Sequence, residues 1–383
     1  MTVTHPQGFR AAGVAAGLKD SGAADLALIV NDGPSDVLAA VWTSNRCKAN
    51  PVLWSEQVTA TGHARAVVVN SGGANCYTGA AGFQNTLATA EHTAKALGLA
   101  PIEVVVCSTG LIGLLNDRER LLAGAGLAAQ RLSETGGPDA AHAIMTTDSV
   151  AKQAVVSGDG WSLGGIAKGA GMLAPGLATM LVFLTTDADV DRATADQALR
   201  SATARTFDRL DSDGCMSTND GVVLQVSGAS GVQPDEQAFS DAVHRLCHDL
   251  AQQLLRDAEG AEHDIAITVV HAATEGDAVA VARSVARSNL FKCAIYGQDP
   301  NWGRVLASVG TTDAVFDPAD LDVALNGVWV CQGSGIGESR DLVDLSARDV
   351  AVTIDLKSGD AQATVWTNDL THAYVHENSA YAS

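Results

Sequence analysis

The sequence predicts an α+β layered fold, and three observations carry that expectation. Short β-branched apolar runs bounded by Gly, Pro, Asn and Asp recur along the chain. Alanine-rich and amphipathic stretches of helical spacing stand between them. A hydrophobic content of 46% over 383 residues is enough to fill one large layered unit or two domains. No short-period repeat, low-complexity tract or long linker interrupts the chain, so composition marks no domain boundary.

Taken in order, residues 26–30 and 37–42 read as strands joined by a hairpin-like turn at Asn31-Asp32-Gly33-Pro34. Strand 66–70 runs into Ser71-Gly72-Gly73-Ala74-Asn75, whose glycines let backbone amides approach a ligand or take unusual dihedrals. A helix is expected over 82–97, stopped by Gly98. Strand 104–107 then ends in Ser108-Thr109-Gly110-Leu111-Ile112-Gly113, with a helix starting near Asn116-Asp117. Strand, Thr-Gly loop and helix in that order suit an oxyanion site, although Thr109 at such a turn can equally serve only the turn itself.

Met145-Thr146-Thr147-Asp148 precedes a hairpin that turns at Gly158-Asp159-Gly160 and returns through 163–167. Further on, a strand is expected from Thr179 to Thr185, a helix over 194–207, a polar loop over 211–220 and a strand over 222–226. The clearest helix spans 234–256, with Ala238, Ala242, Leu246, Leu250 and Leu254 on one stripe. A strand at 265–270, a helix at 277–287, a polar turn-rich segment at 297–304 and strands at 321–325, 328–331 and 350–356 complete the expectation.

The formal charge of −20, with no run of Lys or Arg, argues against nucleic acid and favours a small polar substrate. Seven cysteines, odd in number and without a CxxC pair, indicate neither a disulfide framework nor a zinc ribbon, so a reducing cytoplasm is the expected setting. The apolar stretch 11–18 is broken by Gly13 and Gly17 and followed by Lys19-Asp20, which does not read as a signal peptide. No membrane span is expected, because nothing approaches the roughly 20 apolar residues it needs. His244 and His248 fall on a polar helix face beside Asp241 and Asp249, and nothing completes a metal site around them or around His372 and His376, so no metal is expected. Gly169-Ala170-Gly171-Met172-Leu173-Ala174 matches a dinucleotide fingerprint in letters, but Pro175-Gly176 and a strand follow where a helix is required. No serine-hydrolase nucleophile elbow is expected.

Chemistry concentrates at residues 168–189. A glycine-rich turn, with Gly169, Gly171 and Pro175-Gly176, stops abruptly at a buried-looking strand that opens on Thr179. Ala178-Thr179 is where a self-cleaving precursor would expose an N-terminal nucleophile. The freed α-amine, with an ordinary pKa of about 7.7–8.0, is suited to act as general base, which the precursor amide is not. Lys168 is either a surface loop lysine or the cation that neutralises a carboxylate and assists the nucleophile.

Nine segments in order resemble the glutamate/ornithine N-acetyltransferase (ArgJ) family of arginine biosynthesis. They are GFRAAGVAAGLK at 8–19, TSNRCKANPV at 43–52, NSGGAN at 70–75, STGLIG at 108–113, MTTD at 145–148, GGIAKGAGMLAPGLATML at 164–181, STND at 217–220, GQDPNWGR at 297–304 and HENSAYAS at 376–383. The resemblance covers nearly the whole chain. It implies the family's α+β layered sandwich of sheets and helices, self-cleaved into an α fragment of 1–178 and a β fragment of 179–383 that associate as an α2β2 heterotetramer. It also implies a ping-pong transfer of acetyl from N2-acetyl-L-ornithine to L-glutamate through acetyl-Thr179.

By the same resemblance Thr109 and Gly110 form the oxyanion hole, and Thr146, Lys168, Glu259, Asn378 and Ser383 contact substrate, with the Glu259 carboxylate suited to the ornithine ammonium. No cofactor is implied. The family divides on acetyl-CoA, which stands as a second candidate donor. Glu262-His263 replace the family's usual Thr-Lys, which bears on substrate preference, and Gly176 and Cys215-Met216 depart from the pattern near the cleavage site and before Ser217. A related self-cleaving acyltransferase or amidase on another amine is the alternative enzyme, and a non-catalytic relic is the alternative from another class.

Overall fold

The computed structural model describes residues 2–174 and 180–380, so Ala178, Thr179 and Ser383 lie outside the described residues. The described residues form two compact units, the first within 1–208 and 215–254 and the second within 209–214 and 255–382.

The first unit contains β1 (Phe9–Val14), β2 (Leu26–Asn31), β3 (Leu38–Trp42), α1 (Asn50–Ala60), β4 (Ala66–Asn70), α2 (Gly79–Leu97), β5 (Val104–Ser108), α3 (Arg118–Gln130), α4 (Gly137–Ala143), β6 (Lys152–Ser157), β7 (Ser162–Lys168), β8 (Leu181–Thr186), α5 (Arg192–Arg205), β9 (Gly221–Val226) and α6 (Glu236–Arg256), which belongs to it through Leu254. They make a four-stranded sheet in the order β1-β2-β4-β5 and a five-stranded sheet in the order β3-β9-β8-β7-β6. Every residue of β2, β4, β5, β8 and β9 is buried, which is why these strands read as continuous apolar runs rather than alternating ones.

Leu28 and Val68 of one sheet share a core with Ile166, Phe183 and Val223 of the other. Each such fully buried side chain contributes roughly 1.5–3 kcal/mol. Helices α1, α2 and α3 pack on the four-stranded sheet and α5 on the five-stranded one. Helix α6 brings Leu246 and Leu250 against Gly165 of β7. Two parallel pairs, β4 with β5 and β8 with β9, set the ends of their strands side by side. The loops after β5 and before β8 and β9 carry the predicted chemistry.

The second unit contains β10 (Asp264–Ala272), α7 (Glu275–Ala286), α8 (Asn289–Tyr296), α9 (Trp302–Val309), β11 (Asp322–Leu325), β12 (Val328–Gln332), β13 (Gly335–Ile336), β14 (Asp349–Asp355), β15 (Ala361–Asn368) and α10 (His372–Ala380). Its six strands run in the order β13-β12-β11-β14-β10-β15. Ile265, Ile267 and Val269 of β10 alternate inward, onto a core with Val281 and Val285 of α7, Phe291 of α8 and Val305 of α9. Thr274 caps α7 through the Asp277 amide, and Ser288 caps α8 through the Phe291 amide.

Several expectations are corrected. Residues 31–34 do not close a hairpin, because β2 pairs with β1 and β4 while β3 pairs with β9 in the other sheet. Ala238 is exposed and its neighbour Phe239 takes the buried place at the start of the α6 stripe. Part of the turn-rich segment 297–304 is the first turn of α9. Gly160-Trp161-Ser162-Leu163-Gly164 does carry the letters of a nucleophile elbow, contrary to expectation. Its geometry is nevertheless strand-turn-strand, and the Ser162 hydroxyl is held by the Asp187 carboxylate at 3.1 Å.

Candidate active site

Strand β5 delivers Thr109 and Gly110 to the edge of the glycine-rich loop 71–75. The Thr109 amide donates to the Asn70 carbonyl at 2.9 Å, which extends the β4–β5 pairing by one residue. Gly110 has φ +124°, and a Cβ there would stand 2.9 Å from the Gly73 Cα. Only glycine meets both demands. Replacing Gly110 by alanine is expected to destabilise the protein by about 1–3 kcal/mol. Transfer should fall with it, and thermal melting beside steady-state kinetics reads both effects.

Three buried asparagines, named in the sequence only within motifs or at an element boundary and given no role there, hold these loops together. Asn116 Nδ2 donates to the Gly73 carbonyl at 3.0 Å and to Asn70 Oδ1 at 3.2 Å, and Asn70 Nδ2 donates to Ser108 Oγ at 2.6 Å. Asn219 Nδ2 reaches the Ala74 and Ser108 carbonyls at 2.7 and 2.8 Å. Nothing in their spacing announces this, since the three positions lie far apart in the chain.

Lys168 is 1% exposed at the end of β7, so the surface-lysine reading fails. Its Nζ donates to Thr109 Oγ1 at 3.1 Å. An ammonium has no lone pair, so the Thr109 hydroxyl must accept this bond and direct its own hydrogen elsewhere. That leaves the hydroxyl hydrogen available to donate, which an oxyanion donor must do.

Asp148 lies at the centre of the neighbouring network. Its Oδ1 accepts the Lys152 ammonium at 2.6 Å and the Gly169 amide at 2.6 Å, and its Oδ2 accepts the Thr146 amide at 2.9 Å. Both side chains of the Asp148–Lys152 pair are fully buried. Burial works to raise the Asp148 carboxyl, but Lys168, Lys152 and the Gly169 amide outweigh it and hold the group down at about 2.

A carboxyl depressed from its ordinary 3.8 contributes stability that is present above that value and lost as pH falls toward 2. The wild type should therefore lose about 2–3 kcal/mol more than Asp148→Asn between about pH 5 and about pH 1, and denaturant unfolding at successive pH values measures it.

On the other flank stands Asp220, fully buried, which accepts the Met180 amide at 3.0 Å on Oδ1 and the Ser217 amide at 3.1 Å on Oδ2. Burial pushes its carboxyl well above the ordinary value, against the pull of these amides and of Lys168. Lys19 donates to the Met145 carbonyl at 2.7 Å and so fixes the start of the 145–148 segment. Among the residues predicted from sequence, Thr109, Gly110, Thr146 and Lys168 all belong to this neighbourhood.

Glu259 and Asn378 belong to the second unit. Glu259 lies in the turn after α6, and the Gly260 carbonyl beside it accepts the Thr371 hydroxyl at 2.6 Å. Gly260 has φ +63°, and a Cβ on it would meet the Tyr374 amide nitrogen at 2.2 Å, so α10 rests directly on this turn. Asn378 is exposed on α10 and donates to the Tyr374 carbonyl at 3.0 Å, while the Tyr374 hydroxyl donates to Asp213 at 2.7 Å.

His263 is buried, with its ring set between Asp369 Oδ2 at 2.7 Å and the Leu345 carbonyl at 3.1 Å, which makes it a packing residue; Glu262 is exposed. Among the described residues no three His, Cys, Asp or Glu side chains form a group placed to hold a metal ion. Among them, too, no helix is long and apolar enough to cross a membrane.

The sequence of residues 10–383 matches the model of the ArgJ family. A Streptomyces coelicolor protein named arginine biosynthesis bifunctional protein ArgJ is 62% identical over 383 residues, spanning 100% of both chains. A solved chain of the Bacillus halodurans protein of that name superposes with a TM-score of 0.50 at 35% identity, covering 52% of this chain and 98% of its own. A Mycobacterium tuberculosis chain, solved as ornithine acetyltransferase complexed with ornithine, is 55% identical and covers 45% of this chain and 94% of its own, with a TM-score of 0.45.

Proposed function

From the premise that this chain belongs to the ArgJ family, we propose that it is the ornithine/glutamate N-acetyltransferase of arginine biosynthesis. The observation that carries the reading is the Lys168–Thr109 hydrogen bond, which sets a buried cation and an oriented hydroxyl side by side.

Maturation and turnover use the same hydroxyl. In the precursor, Thr179 Oγ attacks the Ala178 carbonyl carbon, and the Ala178–Thr179 C–N bond breaks. The hydroxyl proton passes to the departing nitrogen, which becomes the Thr179 amine, and water hydrolyses the resulting ester to leave a carboxylate on Ala178. In turnover, Thr179 Oγ attacks the acetyl carbonyl of N2-acetyl-L-ornithine, with its own amine as general base. Charge on the carbonyl oxygen meets the Thr109 hydroxyl and the Gly110 amide. Ornithine leaves as the protonated amine, and the glutamate amine then attacks the acetyl-threonine and frees Thr179.

Substrate contacts are carried over from the family resemblance, with Glu259 on the ornithine ammonium and Thr146, Lys168, Asn378 and Ser383 around the remaining groups. Cleavage is supported by the B. halodurans chain, which is matched over nearly its full length yet reaches only about half of this one, as residues 179–383 would. The seven free cysteines suit a reducing cytoplasm. The association of two α and two β fragments is likewise taken from the family, and light scattering on the purified protein tests it.

The function itself is tested by supplying acetylornithine and glutamate together. Ornithine and N-acetylglutamate should form in equal amounts with parallel double-reciprocal plots. Inertness toward acetylornithine, with turnover of another N-acyl amine, would instead select the related acyltransferase or amidase. Acetyl-CoA offered with glutamate in the same assay decides whether a second donor is used.

A further inference from the structure

The segment containing the Ala178–Thr179 bond is entered at Gly169 and left at Met180, and each of those residues gives its amide hydrogen to a different buried carboxylate. On the entry side Asp148 Oδ1 accepts the Gly169 amide at 2.6 Å, and on the exit side Asp220 Oδ1 accepts the Met180 amide at 3.0 Å. We propose that Asp148 and Asp220 are positioning residues for self-cleavage, a two-ended clamp that fixes the ends of this segment while Thr179 attacks the preceding carbonyl. The proposal rests on the self-cleavage reading above.

Each end of the clamp is itself tied down. Asp148 is anchored by the Lys152 ammonium and the Thr146 amide, so the Gly169 end is fixed to β6 and to the 145–148 segment. Asp220 is anchored by the Ser217 amide, while its carbonyl accepts the Thr43 amide at 3.0 Å and the next amide, Gly221, donates to the Met180 carbonyl at 3.2 Å. Met180 is thus held on both its amide and its carbonyl at the point where β8 joins β9. Lys168, one residue before Gly169, carries a charge that attracts both carboxylates.

The division of the clamp follows the predicted fragments. Asp148 and Gly169 both fall in 1–178, and Asp220 and Met180 both fall in 179–383. Each hydrogen bond therefore lies within one product, and cleavage breaks neither. A device built this way can position the precursor and go on holding Lys168 and the new N-terminus afterwards.

The test follows the conversion of purified full-length precursor into two bands, for wild type, Asp148→Asn, Asp220→Asn and Asp187→Asn. Asp187 is a buried carboxylate that accepts the Ser162 amide at 2.7 Å and the Gln7 amide at 3.0 Å, but it holds neither end of the segment. Asp148→Asn and Asp220→Asn should convert on the order of 100-fold more slowly, the scale expected when reacting atoms are displaced by about 1 Å. Asp187→Asn should melt at a lower temperature and still convert at the wild-type rate, which separates positioning from general loss of stability.

Where an Asn form does not fold, the Glu form is scored in its place, because it keeps the carboxyl group and shifts it by one methylene; it too should be slow. Folded Asp148 and Asp220 variants converting at the wild-type rate, or Asp187→Asn slowing them all alike, overturn the clamp. A wild-type chain that never converts overturns the self-cleavage reading and the clamp with it.

Discussion

Replacing Thr179 by alanine is expected to leave one chain of 39.2 kDa and to abolish acetyl transfer. Both losses come from a single atom, because the hydroxyl that would open the Ala178–Thr179 bond is the one that would accept the acetyl group. Wild-type protein should instead give two bands, with sequences beginning at Met1 and Thr179. Thr179→Ser keeps a hydroxyl and should cleave and turn over at reduced rates, which separates loss of the nucleophile from loss of the fold. A cleaved and active Thr179→Ala protein would remove this residue from both steps.

The second large effect is expected at Thr109. Thr109→Val keeps the branched shape and removes only the hydroxyl that Lys168 orients. Losing one oxyanion donor typically lowers kcat by about 10²–10³. In the proposed oxyanion role the hydroxyl would meet charge that develops only in the transition state, so KM should change little while kcat falls. The same substitution removes the acceptor for a lysine that is 1% exposed, so some loss of stability is expected beside the kinetic effect. A rise in KM at unchanged kcat would give Thr109 a substrate-binding role in place of an oxyanion one.

The parts of this fold that were legible in the sequence are those whose local pattern and burial agree. Strands β2, β4, β5, β8 and β9 are short apolar runs because both of their faces are covered. Helix α2 ends at Gly98, which takes the left-handed conformation that glycine allows at φ +72°. The elements missed lack such a signal. Strand β1 reads FRAAGV, with little β-branching, and is specified by pairing with β2. Helix α1 begins with Pro51 in its first turn and buries Pro51, Val52, Trp54, Ser55 and Val58, a helix-spaced set whose apolar signal is blurred by polar Ser55 inside it and by exposed Leu53 outside it. Helix α10 buries none of its described residues and offers no apolar face at all.

In the site, the sequence singled out Thr109-Gly110 and Lys168, and the structure sets Lys168 against the Thr109 hydroxyl. Lys168 looked like a loop residue because its neighbours Gly169 and Gly171 are turn formers, whereas pairing with Leu181 makes it the last residue of β7. The supporting shell was not legible, because Asn70, Asn116, Asn219, Asp148 and Asp220 act through buried hydrogen bonds between distant segments. A single polar residue in a loop carries no mark of that burial. The hairpin expected at 31–34 failed for a related reason, since two adjacent strands joined by a good turn sequence were claimed by different sheets.

The central claim is that the acetyl group rests on Thr179 between donor and acceptor. Cleaved enzyme given N2-acetyl-L-ornithine, with no glutamate present, should release a burst of ornithine stoichiometric with active sites and gain the mass of one acetyl group on the peptide beginning at Thr179. Adding glutamate should remove that mass and yield N-acetylglutamate. Ornithine release only when glutamate is present, with Thr179 never acetylated, would contradict the account.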